Sequence, residues 1–281
     1  MTLFGQDSWH PTFLKKFIES FETSTGPSRI ETDAGEAIIK ALGNNQGPHA
    51  LARELIAIRL ANWFNLPIFE YAVMELQKDD VIPLGKQKRA EPGPAFVTKY
   101  HVGQKWDGTE EGLKLVENCQ IITKLVVFDN WILNVDRYPP DPGTRKANFG
   151  NVFLSEVGAS KGKFRIIVMD HSHCLRVRNT EDLSKSIANI DYIKEERPYG
   201  VFPAFVTQLK KSFLDSALSQ LGGFTESDAD QVLFEIPLEW KVTSEVRVAL
   251  KKFLVQRADF LVQRLPIILS KYNLEQGDLG V

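Results

Sequence analysis

The first hundred residues carry short apolar and β-branched runs that are separated by turn signals. Residues 13–42 follow a strand–turn–strand pattern, and further strands are predicted for residues 68–76 and 95–102. Between these runs, residues 49–65 repeat apolar positions at helical spacing. The sequence therefore predicts a strand-rich N-terminal lobe with a single helix.

The remainder of the chain is mostly helical in pattern. Helical spacing of apolar residues recurs in four segments, residues 113–133, 201–221, 226–234 and 244–272. Pro266 is predicted to break or kink the last of them, because its ring removes an N–H donor. We therefore predict an α+β fold with two lobes, a small strand-rich lobe over residues 1–102 and a larger helical lobe over residues 103–281.

Three polar side chains flank a predicted β-hairpin in the middle of the chain. Asp136 follows an apolar helical run, Asn151 opens the first strand of the hairpin, and Asp170 follows the second strand. This order is typical of phosphoryl transfer, in which one carboxylate deprotonates the accepting hydroxyl while an amide oxygen and a second carboxylate hold Mg²⁺. Each of the three residues also fits a cap or turn, and Asn148 is an alternative metal ligand. We prefer Asn151 because the strand that follows it would hold it rigidly.

A lysine and a glutamate upstream of these residues form a second constellation. Lys40 ends a predicted strand, and Glu54 lies on the helix that follows. A strand lysine that contacts the α- and β-phosphates of ATP needs a partner that orients it, and a helix glutamate is the usual one. A solvated lysine beside an unrelated surface glutamate is the alternative. The position of the pair upstream of Asp136 favours a nucleotide site.

Two further segments are predicted to contact the nucleotide. One is a turn whose backbone N–H groups and hydroxyls would cover the phosphates, and its residues are Ser24, Thr25, Gly26, Pro27 and Ser28. It has a single glycine, so an ordinary hairpin turn fits equally well. The other is the strand that ends at Lys99 and Tyr100, which is predicted to enter a hinge whose backbone pairs with adenine.

Composition and charge restrict the class of protein. The 281-residue chain has a net charge of −2, so no global field directs it to nucleic acid or to a membrane, although a local basic patch remains compatible with this charge. No apolar segment approaches the length of a membrane span. The two cysteines, Cys119 and Cys174, fit a reducing cytosol rather than a disulfide framework. We therefore expect a cytoplasmic protein.

Three motifs together resemble those of the HipA-like kinases, which share the wider protein-kinase-like fold. They are Asn-x-Asp-Arg at residues 134–137, the Gly-Asn-apolar strand at residues 150–154 and Met-Asp-His-Ser at residues 169–172. The phosphatidylinositol-kinase type of catalytic loop is similar too. The resemblance implies a two-lobed kinase fold that uses ATP and Mg²⁺. It implies these roles: Asp136 as catalytic base, Asn151 and Asp170 as metal ligands, and Lys40 with Glu54 at the phosphates. Asn134 and Arg137 are available to order the loop of Asp136.

The sequence departs from the family pattern in two places. The loop between Asp136 and Asn151 is long, with residues 138–146 similar to an insertion that would project over the cleft, and the phosphate-covering turn is poor in glycine. Arg137 is predicted either to contact a phosphate or to anchor its loop through a carboxylate. HipA-type kinases modify a serine in the covering turn, which implies autophosphorylation within residues 24–28.

We predict an ATP- and Mg²⁺-dependent kinase that phosphorylates a serine or threonine hydroxyl of a protein, without a membrane or direct nucleic-acid partner. A catalytically silent nucleotide-binding scaffold is the alternative from a different class. His171 and His173 beside Asp170 would also fit a metallophosphatase, but a histidine next to a metal-binding carboxylate is more often structural. The sequence does not name the substrate, because acceptor selection depends on the surface of the cleft.

Overall fold

The computed structural model describes residues 9–23, 25–86, 88–141, 143, 146–175, 183, 187, 190–272 and 274. Its N-terminal part contains seven strands, which are β1 (Leu14–Ser20), β2 (Ser28–Thr32), β3 (Gly35–Lys40), β4 (Tyr71–Leu76), β5 (Pro83–Leu84), β6 (Lys88–Arg89) and β7 (Gly93–Lys99). Five of them form an antiparallel sheet in the order β1–β2–β3–β7–β4, and β5 pairs with β6 as a separate hairpin.

The two faces of the five-stranded sheet are covered differently, because successive side chains of a strand point to opposite faces. Ile39 of β3 and its partner Val97 of β7 lie in a small apolar core that Trp9 completes. The neighbouring pair, Lys40 and Phe96, faces the other side. The alternation thus places Lys40 on the face that is not filled by the small core.

A second antiparallel sheet has three strands, and residues of both sheets line one cavity. Its strands are β8 (Gly103–Lys105), β9 (Val152–Ser155) and β10 (Arg165–Val168), in the order β10–β9–β8. The predicted hairpin is confirmed, since Val152 pairs with Val168 and Ser155 with Arg165.

The C-terminal part is helical and holds most of the large apolar core. The N-terminal part contains one helix, α1 (Pro48–Trp63), between β3 and β4. The helices of the C-terminal part are α2 (Glu110–Leu113), α3 (Ile121–Trp131), α4 (Ile190–Ile193), α5 (Lys211–Leu221), α6 (Glu226–Val232) and α7 (Ser244–Leu269). Thr225 and Thr243 start α6 and α7 by accepting backbone N–H groups with their hydroxyls. The predicted α+β fold, strand-rich first and helical afterwards, is confirmed.

The structure differs from the helical prediction in three details. Residues 113–133 do not form one helix, because Val116 pairs with Phe164 and the Asn118 side chain bonds to both backbone polar groups of Ile166. Residues 201–221 divide into a 3₁₀ helix, Pro203–Gln208, and α5. Pro266 does not break α7, which runs on to Leu269, and the kink that was the other predicted effect of Pro266 stays a prediction.

The helix α1 is held against the C-terminal part along its length. The bonds are His49 Nε2 to Lys241 O at 3.2 Å, Arg59 to the carbonyl oxygens of Val232 and Phe234, and Gln220 Nε2 to Trp63 O at 3.0 Å. The indole of the fully buried Trp240 also donates to Pro94 O in β7, at 3.0 Å. The position of α1 therefore depends on residues nearly 200 positions later in the chain.

Among the described residues, no helix combines the length and the apolar composition that a membrane span requires.

Candidate active site

A cavity of about 360 Å³ lies between the two sheets. Its apolar lining includes Ile38, Ile58, Phe69, Phe96, Phe153 and Val168, and its charged lining includes Glu19, Lys40, Glu54, Lys99, Lys105 and Asp170. Apolar walls with a few convergent polar groups are the usual form of a small-molecule site. The predicted Lys40, Glu54 and Asp170 thus reach one cavity, although they come from three separate elements.

Lys40, the last residue of β3, is held by two carboxylates. Its ammonium donates to Glu54 Oε1 on α1 and to Asp170 Oδ1, the latter at 3.0 Å. The second oxygen of Glu54 accepts the backbone N–H of His171 at 3.1 Å. The structure therefore brings Lys40 and Glu54 together, and Glu54 also fixes the backbone next to Asp170.

The charges of this cluster follow from burial and from mutual contact. Burial alone would lower the pKa of Lys40, but Asp170 and Glu54 outweigh it and raise that pKa. Burial would likewise raise the pKa of Asp170, yet Lys40 and the Ser172 hydroxyl hold it well below its usual range. For Glu54, burial is the largest effect and raises the pKa. Asp170 is consequently ionised at neutral pH beside a charged lysine.

Asp170 has a backbone conformation that few residues other than glycine adopt. Its φ is +55°, in the left-handed region, and it lies one residue beyond Met169, which follows the end of β10. The Ser172 hydroxyl donates to its Oδ1 at 3.1 Å, and 26% of its side-chain surface is exposed towards the cavity. Such backbone outliers cluster at functional sites, where neighbouring contacts hold them in place.

Asp136 and Asn151 are bonded to each other. Asn151 Nδ2 donates to Asp136 Oδ2 at 2.8 Å, and the Asp136 backbone N–H donates to Asn134 Oδ1 at 3.1 Å. Because its nitrogen is used by Asp136, Asn151 presents its oxygen as the ligand atom. An amide oxygen and the Asp170 carboxylate are the hard oxygen donors that Mg²⁺ prefers, so the donor set fits that ion. The geometry favours Asn151 over Asn148, which is exposed.

Arg137 lies beneath the loop that carries Asp136 and has no exposed surface. It donates to Asp129 Oδ2 at 2.8 Å, to the Asn151 carbonyl and, at 3.4 Å, to the Met169 carbonyl. A fully buried guanidinium cannot touch a phosphate in the cavity, so the second predicted role, that of a loop anchor, is the one observed. Asn134 is equally buried and donates to Asp129 Oδ1 at 3.0 Å, so it too supports the loop from below.

Asp129 is the residue that the sequence analysis missed. Its carboxylate accepts hydrogen bonds from both Arg137 and Asn134. Burial raises the pKa of Asp129, although these two partners oppose the shift. Gly200 packs on it with φ +75°, and a Cβ there would lie 2.8 Å from the Asp129 Cβ. The available signal was a carboxylate in the last turn of a largely apolar helix, where an unpaired buried charge is costly.

The predicted phosphate-covering turn is oriented differently from the prediction. The hydroxyl of the fully buried Ser28 donates to Pro83 O at 2.5 Å, and Gly26 lies against the backbone of Leu84, so both face the β5–β6 hairpin. Thr25 is also buried. The turn lines the cavity with Thr23 and Pro27 instead. Ser24 lies outside the described residues, as does part of the segment 138–146, with Pro142, Thr144 and Arg145.

Lys99 and Tyr100 line the cavity, but their backbone N–H groups are already used. Lys99 N–H donates to Glu70 O at 2.8 Å, and Tyr100 N–H donates to Glu36 O at 3.0 Å. The Lys99 ammonium is paired with Glu70 at 2.7 Å. Adenine pairing through these two N–H groups would therefore displace existing bonds. The next residue, His101, also lines the cavity.

The two histidines after Asp170 have different surroundings. His171 packs edge-on against Phe128, and burial together with Arg137 lowers its pKa well below the usual value. His173 Nδ1 lies 3.7 Å from Asp136 Oδ2. In the part of the chain that the structure describes, no group of three or more His, Cys, Asp or Glu side chains is arranged to hold a metal ion.

Comparison with known proteins gives a family and a fold. The sequence matches the family described as HipA-like kinase over residues 24–267. The structure is similar to the proinflammatory kinase CtkA of Helicobacter pylori, with a TM-score of 0.55 and 13% identity over 93% of this chain and 96% of that one. At this identity the likeness concerns the fold alone.

A second similar structure is a chain from the toxin–antitoxin complex of HipA, HipB and operator DNA of Shewanella oneidensis MR-1. The TM-score is 0.42 and the identity 12%, over 96% of this chain and 69% of that one. A comparison with curated proteins finds no match.

Proposed function

This chain belongs to the HipA-like kinase family and is a kinase, and we propose that it transfers the γ-phosphate of ATP to a serine or threonine hydroxyl of a protein, with Mg²⁺. The observation that carries the proposal is the convergence of two bonded sets. Lys40, Glu54 and Asp170 form one, and Asp136 and Asn151 form the other. The paired strands β9 and β10 link them, because Val152 after Asn151 pairs with Val168 before Asp170.

Each residue then has a task that its contacts support. Lys40 binds phosphate oxygens and is oriented by Glu54. Asp136 accepts the proton of the acceptor hydroxyl at a carboxylate oxygen, and Asn151 fixes the rotation of that carboxylate. Asn151 and Asp170 would hold Mg²⁺, which neutralises charge on the phosphates when it is bound.

The test separates binding from transfer. We would measure Mg·ATP affinity by calorimetry, and transfer of labelled phosphate to casein and to myelin basic protein. Asp136→Asn should lose at least about 10²-fold in transfer, a typical contribution of a general base, while Mg·ATP affinity stays within about threefold. Asp215→Asn is the matched control, because that carboxylate lies on the exposed face of α5.

The outcomes distinguish the alternatives. Equal transfer by wild type and Asp136→Asn would remove Asp136 as the base. Tight Mg·ATP binding by wild type without transfer to any protein would favour the nucleotide-binding scaffold. Phosphoamino-acid analysis of the labelled product decides whether the hydroxyl belongs to serine or threonine.

A further inference from the structure

Three lysines line the cavity, and one of them differs from the others in its surroundings. Lys40 is paired with Glu54 and Asp170, and Lys99 is paired with Glu70. Lys105 is exposed, and among the described residues no carboxylate lies within ion-pair distance of its ammonium. Lys105 is therefore the lining cation whose charge the described part of the protein does not neutralise.

The backbone of Lys105 is held firmly. It is the last residue of β8 and pairs with Phe153 of β9, and the next N–H, that of Trp106, donates to Val152 O at 2.9 Å. The Trp106 ring is buried and stacks on Phe205 with centroids 5.0 Å apart. The start of Lys105's side chain is thus fixed relative to the catalytic loop.

The side chain of Lys105 runs over Gly150. A Cβ on Gly150 would lie 3.1 Å from Lys105 Cδ and 3.7 Å from Cε, so the absence of a side chain there leaves the path open. Gly150 directly precedes Asn151, whose amide is bonded to Asp136. The lysine stem consequently lies on the loop that carries the transfer chemistry, while the residue also lines the cavity.

The other charges of the cleft indicate what Lys105 contributes to binding. With all three groups ionised, the one positive charge of Lys40 and the two negative charges of Glu54 and Asp170 sum to −1, which disfavours an incoming anion. An unpaired lysine beside Gly150 offsets this at the mouth of the cleft, and a lysine binds oxyanions as a point charge.

We propose, on the basis of the proposed kinase function, that Lys105 binds an oxyanion of a bound reactant at the mouth of the cleft. Two reactants bring such a group: the nucleotide through its terminal phosphate, and the acceptor protein through an acidic side chain near its hydroxyl. The chemistry is the same, and the experiment separates the two sources.

The variants are Lys105→Met, which removes the charge and keeps the stem, and Lys105→Arg, which keeps the charge. Lys161→Met is the control, because Lys161 is an exposed lysine in the turn at the far end of β9 and β10. In the nucleotide arm, calorimetry compares Mg·ATP, Mg·ADP and adenosine. In the acceptor arm, KM is measured for acidic dephosphorylated casein and for myelin basic protein.

If the oxyanion is the terminal phosphate, Lys105→Met weakens Mg·ATP roughly 10-fold or more, Mg·ADP less and adenosine not at all, as expected for a lost charged hydrogen bond. If it belongs to the acceptor, KM rises by a similar factor for casein alone, and Lys105→Arg restores it. Unchanged constants in both arms, or an equal loss for adenosine, would overturn the proposal. Failure of wild type to bind Mg·ATP or label either protein would instead refute the kinase function proposed above.

Discussion

Replacing Asp129 by Asn tests whether the buried pair beneath Asp136 holds the catalytic loop. The two Asp129 oxygens accept from different donors, Arg137 Nε at 2.8 Å and Asn134 Nδ2 at 3.0 Å, and all three side chains are buried. An amide offers a single acceptor oxygen, so its own NH₂ group would face one of these donors in either orientation. The substitution therefore removes a charge and also leaves one of the two donors facing an NH₂ group.

The expected loss in the free energy of unfolding depends on the hydrogen bonds that Arg137 keeps. Removal of one partner of a buried ion pair costs about 3–5 kcal/mol. Arg137 keeps its bonds to the Asn151 and Met169 carbonyls, so we expect the lower end, about 3 kcal/mol. Domains are stable by only about 5–15 kcal/mol, so this is a large fraction of the total.

Urea unfolding followed by tryptophan fluorescence measures the change. Asp215→Asn is the matched control, because it breaks the pair with Lys211 at 2.7 Å, in which more than half of each side chain is exposed. Pairs of that kind contribute less than about 1 kcal/mol. If Asp129→Asn cost no more than the control, the buried pair would not hold the loop, and the account of Arg137 as an anchor would be wrong.

Three further predictions concern other parts of the molecule. Lys40→Ala and Glu54→Ala should be strongly non-additive in log kcat/KM, because Glu54 orients Lys40; a double variant that loses the sum of both effects would refute the pair. Gly200→Ala should lower the midpoint of urea unfolding by displacing Asp129, which an unchanged midpoint would contradict. Burial raises the pKa of Cys174 to about 12, so at pH 8 only roughly one thiol in 10⁴ is ionised; mass spectrometry after iodoacetamide treatment should find Cys174 labelled only in urea, and rapid labelling of the native protein would count against this.

Local patterns were sufficient for much of the fold and for the order of the site residues. The hairpin between Asn151 and Asp170 consists of two apolar strands that follow each other in the sequence and are joined by a turn that contains glycine. It forms as predicted. The pairing of Lys40 with Glu54 follows from a strand and a helix that are neighbours in the chain. In both cases the partners are close in sequence, so the pattern itself carries the information.

Distant contacts decide the features that the sequence did not disclose. Residues 114–120 have the same apolar spacing as a helix, but the pairing of Val116 with Phe164 and the bonds between Asn118 and Ile166 interrupt the helix there. Ser28 turns away from the cavity because it bonds to Pro83, 55 positions later. The partner of Arg137 is an exception, because Asp129 is only eight positions earlier and its burial, not its distance, is what the sequence did not disclose.

The bonds that fix α1 also have a consequence during protein synthesis. Glu54 is translated early, but the groups that hold its helix, from Gln220 to Lys241, leave the ribosome only after most of the chain has been made. Trp240 reaches back to Pro94 across 146 positions. The N-terminal sheet can form from its own strands, whereas α1 gains its stabilising contacts only when the last quarter of the chain has been synthesised. A nascent or prematurely terminated chain that lacks this quarter would therefore carry Lys40 and Asp136 without the C-terminal supports of the helix that bears Glu54.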